Sequence, residues 1–209
     1  MKAAGDAATG ELPLHNVAAL FVRADSIYKT MPGVDAWDAE RDARKFGGGM
    51  PVVAHPPCRL WAGLRHMATR GRPDEKELAV WSVAMVRQNG GVLEHPRRST
   101  LWAHCGLPLP GKRDEFGGWT LPILQSDFGH KAEKATFLYV VGCAPAEIPD
   151  LPALDLGYAT HVVGSSIKTR PGMPGARPEI TKAEREHTPA QLARWLVALA
   201  KRCKVAANA

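Results

Sequence analysis

Two residues combine a reactive type with a position that could use it: Cys58 and Glu94. Cys58 follows the Pro56-Pro57 pair and precedes Arg59. A cysteine held rigidly by two prolines can present its sulfur to a ligand. An adjacent Arg59 and a following helix N-terminus would lower its pKa and raise its thiolate fraction. The plain alternative is a small buried thiol, the commonest fate of cysteine. Glu94 closes the apolar triplet Val92-Leu93-Glu94 and is followed by His95-Pro96. A carboxyl group beside a nucleophilic cysteine makes sense if a substrate ring must be protonated while the sulfur attacks. Its alternative is a glutamate in a surface loop.

Both residues need strands that end beside each other. Pro51 to His55 reads as a buried strand, and Pro56-Pro57 stops it because proline cannot serve a sheet ladder. Val92 to Glu94 reads as the next strand. Between them, Asp74 to Gln88 forms an amphipathic helix pattern with Leu78, Trp81 and Met85 on one face, closed by Asn89-Gly90-Gly91. A strand, a helix and a second strand predict a parallel pair whose carboxyl ends lie together, the edge where open α/β sheets bind ligands. Val17 to Val22 and Val34 to Asp38 predict two further short strands. Asp38 is placed to cap a brief helix running to Phe46, and Ser99-Thr100 another ending at His104. Thr120 to Gln125 and Thr136 to Val141 predict strands joined by the basic turn Ser126 to Lys134. Thr188-Pro189 reads as the start of a last helix with Leu192, Trp195, Leu196 and Leu199 on one face. The expected fold class is α/β, a shortened, mainly parallel sheet in a single domain over residues 14–143. Residues 1–13 are expected to be disordered, 144–187 a Pro/Gly-rich loop region, and 188–209 a helix packed on the domain.

Composition sets the outer bounds. The chain is 45% hydrophobic and 23% charged, which fits a globular protein rather than a disordered one. No apolar stretch approaches the length of a membrane helix, and the opening residues have no apolar run, so a cytoplasmic protein without a secretory signal is expected. The four cysteines are scattered with no paired spacing, which argues against a zinc ribbon and for reduced thiols. His55, His95, His104 and Cys105 match no standard metal spacing, so no metal is expected. The net charge of +6 permits a polyanionic partner without requiring one. Trp61 and Trp119, in polar surroundings, are candidates to stack on a base.

Together these segments resemble the cytosine-5 DNA methyltransferases. Pro57-Cys58 looks like that family's Pro-Cys motif, and Leu93-Glu94-His95 resembles its Glu-Asn-Val motif. Gln125 to Lys134, with the strand from Phe137 to Gly142, is similar to its Gln-x-Arg-x-Arg segment. Phe21 falls where the family has a Phe-x-Gly segment. The order agrees over residues 17–142. The resemblance implies a Rossmann-like, methyltransferase-type sheet. Cys58 would then add to C6 of a pyrimidine and Glu94 protonate its ring. C5 would attack a one-carbon donor. The substrate set implied is Arg59, His95, Gln125, His130, Lys131 and Lys134; the cofactor set is Phe21, Ser26, Asp35 and Asp38.

The cofactor half departs from that pattern. Arg23-Ala24-Asp25-Ser26 replaces the expected glycines, and the segment from Phe21 to Cys58 is short by a strand–helix unit. S-adenosylmethionine is therefore expected to bind weakly, or to give way to another one-carbon donor such as a folate. Little sequence-reading chain follows Gly142, so low sequence specificity is expected. This would suit bulk modification of DNA, as in a bacteriophage acting in its host's cytoplasm. The alternatives are an enzyme acting on a free pyrimidine nucleotide, and a non-catalytic nucleic-acid-binding protein.

Overall fold

The computed structural model describes residues 16–63, 65, 74–154, 156–164 and 172–204. The expected disordered N-terminus lies outside them. The chain forms one six-stranded mixed sheet with a few helices. Its strands are β1 (Val17–Leu20), β2 (Val34–Trp37), β3 (Val52–Ala54), β4 (Gly91–Pro96), β5 (Trp119–Leu124) and β6 (Ala135–Val141), in the spatial order β2-β1-β3-β4-β6-β5. The first four are parallel, with Leu20 opposite Ala54 and Ala54 opposite Leu93. β6 runs antiparallel to both β4 and β5.

Apolar sequence dictates the parallel half. Val-Ala-Ala-Leu of β1 and Val-Val-Ala of β3 are buried at every position, as strands covered on both faces must be. Helix α1 (Asp74–Asn89) covers one face, where Ala79, Val83 and Val86 meet Leu20, Val52 and Leu93. The last helix, Ala190–Arg202, covers the other, with Leu192, Trp195, Leu196 and Leu199 against Val17, Val53 and Val92. Each such side chain contributes roughly 2 kcal/mol by leaving water. That helix begins one residue later than its Thr188-Pro189 signal suggests, with Pro189 as its cap residue. Gly91 opens β4 at φ +118°, and a Cβ there would lie 2.0 Å from the Val52 carbonyl oxygen. Only glycine lets β3 and β4 approach so closely.

Shorter helices follow among the described residues: α2 (Leu101–His104), α3 (Lys182–Glu186), which leaves the last helix as α4, and 3-10 turns at Ile27–Thr30, Ala43–Lys45, Gln125–Phe128 and Pro145–Glu147. The helix expected after Asp38 is only the turn Ala43–Lys45, capped by Asp42; Asp38 instead accepts the backbone N–H groups of Glu40 and Arg41. Ser99, not Thr100, caps α2 through its hydroxyl and the Leu101 N–H. The described residues of the Pro/Gly-rich stretch are largely irregular, but α3 lies among them and bridges tie His161 to Ala132 and Val162 to Glu179. No helix among the described residues is long and apolar enough to cross a membrane.

Candidate active site at the carboxyl edge

The chain passes from β1 outward to β2 and returns to β3 on the other side of β1, so the sheet changes direction between β1 and β3. Ligand crevices of open α/β sheets form outside the carboxyl ends at such a point. The segment leaving β3 there is His55-Pro56-Pro57-Cys58, anchored by the His55 N–H on the Leu20 carbonyl at 3.0 Å. The Cys58 carbonyl accepts the N–H groups of Trp61 and Ala62, so a turn begins at the cysteine and leaves its side chain half-buried.

Glu94, one strand over, is 8% exposed. Its Oε1 accepts from Gln125 Nε2 at 2.8 Å, and its Oε2 pairs with His55 Nδ1 at 3.1 Å. Thr136 Oγ1 lies 3.4 Å from Oε1 and accepts the second N–H of Gln125 at 3.1 Å. Gln125 is fully buried, and its Oε1 has no partner, an acceptor left open beside the carboxylate. Burial pushes the Glu94 carboxyl upward, but the Lys134 ammonium and the His55 hydrogen bond prevail and hold it at about 2. Glu94 therefore rests as a carboxylate, an acceptor.

Burial raises the Cys58 thiol, Glu94 raises it further, and Lys134 opposes both without prevailing. The resting sulfur is thus protonated. The expected activation by Arg59 does not occur: its Nε pairs with Glu75 Oε2 at 3.0 Å, in the first turn of α1.

Among the remaining substrate candidates, Lys134 joins Cys58 and Glu94 through its charge. The others are used elsewhere. His130 Nδ1 lies 2.8 Å from the Ala132 carbonyl oxygen and 3.0 Å from the Ala132 nitrogen, and Nε2 lies 3.1 Å from the Glu184 carbonyl oxygen, so this ring ties the turn to α3. Lys131 pairs with the Glu184 carboxylate at 2.5 Å. His95 follows Glu94 on the strand and so faces the opposite side of the sheet, against Trp102. It is 0% exposed and neither ring nitrogen forms a hydrogen bond of good geometry. Trp119 is a core residue whose indole N–H donates to the Cys143 carbonyl, and Trp61 packs on His104.

The cofactor candidates are likewise committed within the chain. Phe21 lies at φ 59° with its ring edge-on to Trp81. Ser26 caps the turn over Ile27–Thr30. Asp35 accepts from the Trp37 indole and from Arg41, while Asp38 holds Lys29 and two backbone N–H groups. Arg23 pairs with Asp25 and Glu186.

Sequence reasoning missed Tyr28, His55 as a partner of Glu94, and Thr136. The Tyr28 hydroxyl lies 2.9 Å from His55 Nε2. A histidine ending a buried strand just before Pro-Pro was the available signal for His55; Tyr28 and Thr136 had none. No family model, no curated protein and no solved structure matches this chain.

Proposed function

We propose that this chain modifies cytosine in DNA by covalent catalysis, Cys58 adding to C6 of the ring so that C5 becomes a nucleophile suited to one-carbon transfer. The observation that carries the reading is a half-buried thiol just past the end of β3 that feels the charges of Glu94, on the adjacent parallel strand, and of Lys134.

The protonation states define the first step. The Sγ–C6 bond forms and the sulfur loses its proton. Electrons of C5=C6 move to C4=C5, and those of C4=N3 come to rest on N3. Glu94, the carboxylate on the adjacent strand, takes the Sγ proton and passes it to N3, so no free charge builds up in the buried site. The product is a neutral enamine with carbanion character at C5. Without any donor, C5 takes a proton from solvent, and reversal of the addition exchanges its original hydrogen. The carboxylate and the open Gln125 Oε1 suit the two N–H groups of an exocyclic amine. Arg97 and Arg98, just past β4, are exposed and have no ion pair among the described residues, as phosphate contacts require.

The residues present do not fit S-adenosylmethionine. Adenosine needs close backbone approach and an unfilled carboxylate for its ribose, whereas Phe21, Asp35 and Asp38 are occupied as described. The test is mass spectrometry of nucleosides from the DNA of cells expressing the protein or its Cys58→Ser variant. A modified cytosine dependent on Cys58 supports the reading. Unchanged DNA together with a changed nucleotide pool would favour a free-nucleotide substrate, and no change in either would refute the reading.

A further inference from the structure

Three side chains from three elements form a continuous hydrogen-bonded chain into the site: Tyr28 from the turn after β1, His55 from the end of β3, and Glu94 from β4. Tyr28 is 1% exposed, and its ring lies 5.4 Å from that of His55. The His55 and Glu94 side chains are 11% and 9% exposed. Proton accounting fixes the direction of the chain. Glu94 is ionised and can only accept, so His55 Nδ1 must carry a hydrogen. The Tyr28 hydroxyl has one hydrogen and one partner among the described residues, His55 Nε2. It is satisfied as a donor when Nε2 is bare. Burial, reinforced by the Glu94 charge, keeps that phenol protonated. Every donor and acceptor of the chain is then used once.

We infer that Tyr28 is a positioning residue that acts through His55, holding the imidazole in its Nδ1–H tautomer so that Glu94 meets the substrate as an oriented hydrogen-bond acceptor. This rests on the role given to Glu94 above. The groups around the chain agree with it. The Lys134 charge and the Gln125 N–H favour the carboxylate, the Thr136 hydroxyl lies nearer the Lys134 carbonyl than Glu94, and Cys58 offers only a protonated thiol. His95, on the far face of β4, is held neutral at about 4 by burial. Without Tyr28, His55 Nε2 is an orphaned acceptor, and the tautomer with hydrogen on Nε2 would turn a lone pair toward Glu94. Two acceptors would then oppose each other across 3.1 Å.

The full-length chain, labelled with nitrogen-15 in its histidines, tests this directly. Long-range proton–nitrogen correlation spectra distinguish the tautomers, and His55→Asn identifies the His55 signals by their loss. The expected result is a protonated Nδ1 and a bare Nε2 in the wild type, with hydrogen appearing on Nε2 in Tyr28→Phe. An Nε2–H tautomer in the wild type, or no change in Tyr28→Phe, overturns the inference whatever the reaction proves to be.

A kinetic cycle adds a readout that a merely structural role would not move. Exchange of the cytosine C5 hydrogen with solvent, in an oligonucleotide, serves as the assay. Tyr28→Phe should lower the rate about tenfold with KM unchanged, the worth of one buried hydrogen bond. In His55→Asn the amide nitrogen can overlay Nδ1, so the variant should keep more activity than His55→Gln, and Tyr28→Phe should cost nothing further in that background. An equal cost in both backgrounds means that Tyr28 does not act through His55. Absence of exchange in the wild type removes the proposed reaction but leaves the tautomer measurement to decide this inference.

Discussion

Replacing His95 by leucine should flatten the dependence of stability on pH between 6.5 and 5. The imidazole is fully buried, neither nitrogen has a hydrogen bond of good geometry, and only the Pro57 backbone and the Glu94 charge favour its protonation. Burial outweighs both and lowers its pKa from 6.5 to about 4. A folded-state pKa below the unfolded one means that stability is whole above 6.5 and is lost as pH falls towards 4. In that window the unfolded chain takes a proton that the folded chain refuses. The slope rises from about half of 1.4 kcal/mol per pH unit at pH 6.5 towards that limit, so about 1.6 kcal/mol should disappear between pH 6.5 and 5. The window stays above the range where carboxylates titrate. Leucine is close in volume and removes two unpartnered polar atoms, so His95→Leu should match or exceed the wild type at pH 7. Urea unfolding at pH 7, 6 and 5 measures the difference. If His95→Leu keeps the wild-type slope, or loses several kcal/mol at pH 7, the ring is not an unpaired buried base and the placement of β4 over the core is misread.

Other consequences can be checked separately. Alkylation of Cys58 by iodoacetamide, followed by peptide mass spectrometry, should have a midpoint above that of an ordinary thiol; Glu94→Gln should lower it and Lys134→Met raise it, because Glu94 disfavours the thiolate and Lys134 favours it. Gly91→Ala should cost more than about 3 kcal/mol, read as a fall in melting temperature or loss of folded protein, because its Cβ meets the Val52 backbone at a left-handed φ. Alanine at Arg97 or Arg98 should weaken DNA binding alike on any sequence and lower the slope of log affinity against log salt by about 1 each; an unchanged slope would place the phosphates elsewhere.

The frame of the fold was legible in the sequence because burial writes plainly in the continuous apolar runs of β1 and β3; α1 was legible as a helix, but its buried stripe runs through Leu78, Ala79, Ser82, Val83 and Val86, and Trp81 and Met85 of the expected face are only partly buried. The adjacency of the segments carrying Cys58 and Glu94 followed from the same rule for parallel strands. The use of individual polar side chains was not legible. Arg59, next to Cys58 in sequence, turns to Glu75; Lys131 turns to Glu184; and Asp38, which looked like a helix cap or a ribose ligand, holds Lys29. Each prefers a partner brought near only by folding, and residue type does not say which. His95 shows a second limit, since strand alternation sends it to the face opposite Glu94 although the two are neighbours in sequence. Tyr28, remote from every motif, reaches the site only because the turn after β1 lies beside the end of β3.

The central claim is that Cys58 adds to C6 of cytosine, and hydrogen exchange at C5 tests it without a donor. An oligonucleotide carrying tritium at cytosine C5, incubated with the protein alone, should release tritium to water. Cys58→Ser should abolish the release while melting at the wild-type temperature. Release that persists in a folded Cys58→Ser variant, or no release by the wild type from either DNA or the free nucleotide, would contradict the account.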